Sequence, residues 1–166
     1  FYQQSILQRG KFWGRKAAKI AWYLAPKTVL TVDKHGYYKW YPDGELNTCY
    51  LAVDKHVMDG KGDDLAVIYD SPVTNVKRKY TYNEVKLRVS KIAGALRDKG
   101  VEKGDTVIIY MPMVSDAAFS MLACARLGAI HSVVFGGFAP HELAIRIDDA
   151  KPKVIISASC GIEFDK

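Results

Sequence analysis

Two adjacent glycines follow an apolar run and precede a helix-like pattern in this sequence. The run Ile130–Phe135 leads into Gly136 and Gly137, and Pro140 suits the first turn of a helix. Ligands of open α/β sheets bind beyond the carboxyl ends of strands, where glycines let backbone approach a phosphate and a helix start offers N–H donors. The pair is therefore a candidate anion-binding loop. It matches neither a dinucleotide fingerprint nor a Walker A loop, and a tight turn that needs glycine is the simpler explanation.

Other residues with reactive side chains have no partners at informative spacings. His131 has no Cys or Asp nearby in sequence, so we interpret it as a packed or hydrogen-bonded histidine. The remaining histidines lack metal-ligand spacing. Arg146 could reach a phosphate, although an exposed helix arginine usually has no such role. Because the sequence contains no convincing nucleophile–base motif, we assign no catalytic residue and no metal ligand.

Length and composition favour one soluble globular domain. The chain has 166 residues, 49% of them apolar, and no run approaches the roughly 18–20 apolar residues of a membrane span. The net charge of +6 is concentrated in residues 1–40, which carry eight basic residues and one acidic residue. We interpret this excess as a solvated face; an anionic partner or a remnant of a mitochondrial targeting segment is the alternative.

The cysteines indicate a reducing compartment. Cys49, Cys124 and Cys160 are widely spaced and form no C-x-x-C motif, which argues against a disulfide framework or a zinc site. Cys124 lies in an apolar helix-like run and is expected in the core. Cytosol and mitochondrial matrix both fit this pattern.

From residue 65 onward, sequence patterns clearly predict the strands and helices that must position the glycine loop. A hairpin is predicted from Leu65–Tyr69 and Lys77–Thr81, and a capping box at Thr81 and Glu84 opens a helix that stops at Gly100. Three apolar strands then alternate with two helices. Their predicted limits are Thr106–Met111, Ser115–Leu127, Ile130–Phe135, a helix led by Pro140, and Val154–Ser157. Ser115 is expected to cap the first of the two helices. This alternation predicts an α/β fold with a parallel β-α-β-α-β unit.

Residues 1–64 are less regular. A short helix is expected before Pro26 and another between Leu46 and Met58, with Asn47 or Thr48 as its cap. Trp13, Trp22 and Trp40 are typical of packing anchors. We therefore divide the chain into a mainly helical or irregular covering segment, 1–64, and an α/β part, 65–166. Since Phe1 replaces an initiating Met, we expect a fragment or a processed product.

Several long segments resemble the AMP-forming short-chain acyl-CoA synthetases, the acetate and propionate enzymes. The clearest is Arg126–Phe138, and Phe12–Gly14 and Trp40–Tyr50 resemble the family's N-terminal covering region. Tyr69–Thr74 and the block from His141 to Glu163 are similar to the propionate branch in particular. The resemblance extends over the chain up to Glu163.

The resemblance implies a carboxylate:CoA ligase. Such enzymes use ATP, with Mg²⁺, to form an acyl-adenylate and pyrophosphate, and coenzyme A then gives acyl-CoA and AMP. The chain resembles only the first part of their large AMP-binding domain, so the phosphate loop and the catalytic lysine of the family are absent and the chain alone is expected to be inactive. The family's coenzyme A segment corresponds to Glu163, Phe164, Asp165 and Lys166, and its Gly-Gly loop near the same ligand to Gly136 and Gly137. Lysine stands where the family has arginine.

Three alternatives stay open. The enzyme could prefer acetate, since the residues of the carboxylate pocket are not in this sequence. The chain could be a non-enzymatic α/β binding module. Nucleic-acid binding through the basic residues 1–40 is disfavoured, because no recognition motif accompanies the charge. Small-molecule substrates are the expected partners, without nucleic acid or membrane, in the mitochondrial matrix of a eukaryote or the cytoplasm of a bacterium.

Overall fold

The computed structural model describes residues 1–137 and 139–162, which divide into two compact units, Phe1–Asn47 and Thr48–Lys166. The first unit contains two short helices and a two-stranded antiparallel sheet. These elements are α1 (Tyr2–Leu7), α2 (Arg9–Ala17), β1 (Leu30–Val32) and β2 (Tyr38–Trp40). The expected early helix is therefore present. The predicted boundary after residue 64 stays a prediction.

Aromatic rings hold the first unit together. Trp13 meets Trp40 edge-on at 5.9 Å, and Trp22 donates its indole N–H to the Ala17 carbonyl at 2.8 Å. Trp13 and Trp40 nevertheless remain 38% and 45% exposed. Phe12 and Ala17 are the buried residues of α2. The tryptophans thus act as the expected packing residues, but they lie at the rim of this unit's core.

The second unit begins with a helical segment of unusual hydrogen bonding. Two π-helical turns, Tyr50–Asp54 and Val57–Lys61, cover most of the helix predicted between Leu46 and Met58. Cys49 and Val53, four residues apart, are buried on one face. Gly60 has a φ of 81°, which the backbone of the second turn accommodates because glycine lacks a Cβ.

The predicted hairpin and the helix after it are confirmed. Strands β3 (Leu65–Ser71) and β4 (Val76–Thr81) pair antiparallel. In α3 (Tyr82–Asp98), Thr81 Oγ1 accepts from Glu84 N at 3.3 Å and Thr81 N donates to Glu84 Oε2 at 2.8 Å, which is the predicted capping box. Gly100, with a φ of 82°, ends the helix in the left-handed region.

A three-stranded parallel sheet forms the centre of the second unit, as the alternating pattern predicts. Its elements are β5 (Thr106–Met111), α4 (Ser115–Leu127), β6 (Ile130–Phe135), α5 (Pro140–Ala150) and β7 (Val154–Ser157). The strand order is β6-β5-β7, all parallel. Helix α4 connects β5 to β6, and α5 connects β6 back across the sheet to β7. Because these two connections run in opposite directions, right-handed crossovers place α4 and α5 on opposite faces of the sheet. The α/β fold class is confirmed.

The core lies between β5, α3, α4 and the hairpin. Val107, Ile108 and Ile109 of β5 are completely buried, which fits an apolar strand covered on both faces. Phe119 and Cys124 of α4 are completely buried as well, so the expectation for Cys124 is confirmed. Helix α5, by contrast, has no buried residue.

The start of α4 differs from the sequence expectation. Ser115 was expected to cap the helix, but Val114 occupies the cap position and Ser115 is the first helical residue. The Ser115 hydroxyl instead forms a hydrogen bond of 3.1 Å with the hydroxyl of Tyr80 on β4. A partner 35 positions away competes with the local cap, which a reading of neighbouring residues does not detect.

Candidate functional site

The carboxyl ends of the three parallel strands lie level at one edge of the sheet. Met111 is paired with Phe135, and Tyr110 is paired with Ser157. The chain leaves these ends as Pro112–Val114, as Gly136–Gly137 and as the segment after Ser157. This is the edge at which open α/β sheets bind ligands.

A cleft of about 290 Å³ opens beside this edge. One wall is the hairpin turn, and the other comes from the loops after β5 and β7. The lining residues are Tyr69, Asp70, Ser71, Pro72, Val73, Thr74, Pro112, Met113, Val114, Cys160 and Ile162. Among the described residues this lining contains no basic side chain, and Asp70 forms an ion pair of 2.8 Å with Lys77. The cleft therefore suits an uncharged part of a ligand better than a phosphate.

The two glycines at the end of β6 are closely packed. A Cβ on Gly136 would lie 3.0 Å from the Met111 carbonyl oxygen and 3.2 Å from Pro112 N. A Cβ on Gly137 would lie 2.7 Å from the Phe135 ring. Neither glycine has a left-handed φ. Gly136 thus lies against the backbone that leads into the Pro112 side of the cleft. Both glycines lie in a turn, as the simpler explanation expects, and close packing rather than a left-handed backbone favours glycine there.

The start of α5 is a weak anion site by itself. Pro140 has no backbone N–H, and Glu142 places an acid in the first turn. The Glu142 backbone N–H donates to the Ala139 carbonyl at 3.0 Å. Arg146 donates to the Glu142 carboxylate at 3.1 Å and to its carbonyl at 2.9 Å. The guanidinium that could reach a phosphate is therefore engaged by its own helix.

The remaining predicted site residues lie outside the described residues. These are Glu163, Phe164, Asp165 and Lys166. Their role in coenzyme A binding stays a prediction. Gly136 and Gly137 are the predicted site residues that the structure places at the carboxyl edge.

The histidines and cysteines form no cluster suited to a metal. In residues 1–137 and 139–162, no three His, Cys, Asp or Glu side chains are placed to share an ion. His131 is exposed on β6. Burial raises the pKa of Cys124 to about 11 and also raises that of Cys49, whereas Cys160 is exposed at the cleft. The buried thiols are therefore poor nucleophiles.

Arg126 forms an ionic network that the sequence does not indicate. Its guanidinium donates to the Asp54 carboxylate, to Ser90 Oγ at 2.7 Å and to Cys49 Sγ at 3.4 Å. The side chains of Arg126 and Asp54 are only 24% and 17% exposed. The network joins the π-helical segment to α3 and α4, and the 72 positions between the two charged residues hide it from local pattern analysis.

None of the helices in the described part of the chain combines the length and apolar character needed to cross a membrane. An open parallel sheet with a cleft at its carboxyl edge defines an α/β domain of the type that binds ligands at this edge. Comparison with known proteins gives its family. Residues 54–164 match the family described as AMP-binding enzyme, and residues 1–52 match the acetyl-coenzyme A synthetase N-terminus. The chain belongs to the AMP-binding enzyme family, in the group of acetyl- and short-chain acyl-CoA synthetases.

Similar proteins come from bacteria and mammals. The chain is 54% identical over 98% of its length to the mitochondrial acyl-CoA synthetase short-chain family member 3 of Homo sapiens, covering 24% of that protein. It is 54% identical over 99% of its length to an uncharacterized protein of Pseudomonas aeruginosa, covering 26% of it. It is 44% identical over 97% of its length to the acetyl-coenzyme A synthetase of Shewanella amazonensis, covering 25% of it. The chain thus spans about a quarter of the length of these relatives.

Proposed function

We propose that the chain is the N-terminal part of a ligase that converts propionate, or another short-chain carboxylate, to its acyl-CoA. ATP and coenzyme A are the co-substrates, AMP and pyrophosphate are the other products, and an acyl-adenylate is the intermediate. The observation that carries this proposal is the match of both successive family models along the chain, 1–52 and 54–164. The carboxyl-edge cleft supports it, because that is the ligand side of such a sheet.

In this proposal the chain contributes scaffold and one side of the coenzyme A site. Gly136 and Gly137 bring backbone to the ligand without side-chain obstruction. Glu163, Phe164, Asp165 and Lys166 correspond to the coenzyme A segment of the family. The described residues bring together no set of carboxylates for Mg²⁺, so no step of the reaction is assigned to the metal on this chain.

Preference for propionate over acetate is the finer part of the proposal. The segments Tyr69–Thr74 and His141–Glu163 resemble the propionate branch. The identity of 54% to the human short-chain enzyme, against 44% to the Shewanella acetyl-coenzyme A synthetase, also favours a branch other than the acetate one. The mitochondrial name of the human relative supports a matrix location in a eukaryote, and the bacterial relatives support the cytoplasm in a bacterium.

The test is release of AMP by the gene product that contains this chain and the sequence that follows it. We expect AMP to form only with ATP, coenzyme A and a carboxylate together, and kcat/KM to be higher for propionate than for acetate. The reverse order would establish the acetate enzyme. No AMP with either acid, from a folded product, would overturn the ligase and favour the binding module. The 166-residue chain alone is the control, and we expect it to form no AMP.

A further inference from the structure

Strand β4 and helices α3 and α4 meet at one buried tyrosine. Tyr80 is only 4% exposed, and its hydroxyl lies 3.1 Å from Ser115 Oγ. Its ring meets Phe119 edge-on at 5.2 Å, and the Arg88 guanidinium lies 5.1 Å from the ring centroid. Arg88 also approaches the Asp116 carboxylate at 4.0 Å. These contacts fix both the ring and the direction of its hydroxyl.

This tyrosine connects the two walls of the carboxyl-edge cleft. Tyr80 belongs to the hairpin whose turn forms one wall, Tyr69–Thr74. Ser115 follows directly on Pro112–Val114, which contributes to the opposite wall. The hydrogen bond between the two hydroxyls therefore joins the walls at their base.

The hydroxyl is not needed to fill the core. A phenylalanine ring would occupy the same space, and a buried hydroxyl is unfavourable unless it is paired. The first turn of α4 has no side-chain cap of its own, since Val114 occupies the cap position. The hydrogen bond from Tyr80 therefore helps to hold the first turn of α4 in place. The position of this turn sets the position of Pro112–Val114.

We propose that Tyr80 is a positioning residue for the cleft: its hydroxyl, bonded to Ser115, sets the separation between the hairpin turn and Pro112–Val114. The separation in turn decides how closely a ligand fits. The inference rests on the proposed function only for the identity of that ligand, coenzyme A.

The test uses the gene product that carries this chain and its continuation, and compares its Tyr80→Phe variant with the unaltered protein by amide hydrogen exchange. We expect amides of Met113–Ala117 to exchange about fivefold faster, the factor that one ordinary hydrogen bond carries. Ser115→Ala should give the same local change, and the double variant should add nothing further. The matched control is Tyr82→Phe, because the Tyr82 ring stacks on His56 at 4.6 Å and its hydroxyl has no hydrogen bond among the described residues.

Two results would overturn the proposal. One is unchanged exchange in Met113–Ala117 of the Tyr80 variant. The other is equal acceleration across α3 and β5, which would mean a general loss of stability. In a second arm, millimolar coenzyme A is added, and we expect it to slow exchange in this segment less in Tyr80→Phe than in the unaltered protein. If coenzyme A has no effect on the unaltered protein while the local acceleration persists, the positioning role stands and the coenzyme A assignment fails.

Discussion

Arg126 is the side chain on which the contact between the π-helical segment and α4 most depends. Its guanidinium is paired with Asp54 in a largely buried position. We expect Arg126→Met to lower the free energy of unfolding by about 1–3 kcal/mol, because Asp54 loses its direct ion-pair partner. Urea unfolding at neutral pH measures the change. The control is Arg146→Met, which breaks the more exposed pair with Glu142 and should cost about 0.5 kcal/mol or less. Equal losses in the two variants would contradict this role for Arg126.

Because of Cys124, the free energy of unfolding should fall at alkaline pH. Burial raises the pKa of its thiol from 9.0 to about 11. Between these values the unfolded chain loses the thiol proton while the folded chain keeps it, so the free energy of unfolding falls as the pH rises. Denaturant midpoints at pH 8 and pH 10.5 measure the effect. Cys124→Ala should reduce the difference between the two midpoints, and an unchanged difference would show that other groups cause it.

Strand β6 forms one edge of the parallel sheet, and it exposes apolar side chains. Ile130, Val133 and Phe135 are 58%, 50% and 63% exposed. Open strand edges with such residues favour association between chains. We expect the 166-residue chain to aggregate at micromolar concentrations, as measured by size-exclusion chromatography with light scattering, and Val133→Lys to reduce aggregation. A monodisperse monomer with a sharp thermal transition would contradict this expectation.

Local signals explain why most elements from residue 65 onward could be predicted. The capping box at Thr81 and the stop at Gly100 depend on a few neighbouring residues, and both are confirmed. The apolar run Thr106–Met111 indicated a central strand because burial on both faces leaves no polar alternation. The bond between Tyr80 and Ser115 and the network of Arg126 could not be predicted, since each joins residues far apart in sequence.

The sequence predicted at which edge of the sheet the candidate site lies. Alternating strands and helices placed Gly136 and Gly137 at the carboxyl end of β6, where the structure has them. The sequence did not predict that the hairpin forms one wall of the cleft. No local pattern shows where a hairpin packs against a sheet that follows it in the chain. The resemblance to short-chain acyl-CoA synthetases supplied the proposed ligand, coenzyme A, which residue chemistry alone left open.

The most direct test of the proposed coenzyme A site is the Gly136→Ala substitution, made in the gene product that carries this chain and its continuation. The added Cβ would lie 3.0 Å from the Met111 carbonyl oxygen, so the loop must shift. We predict that the KM for coenzyme A rises about tenfold while the KM for the carboxylate stays the same. The control is Gly94→Ala, where no neighbouring atom lies within 4 Å. An unchanged KM for coenzyme A, or a rise confined to the carboxylate, would contradict the account.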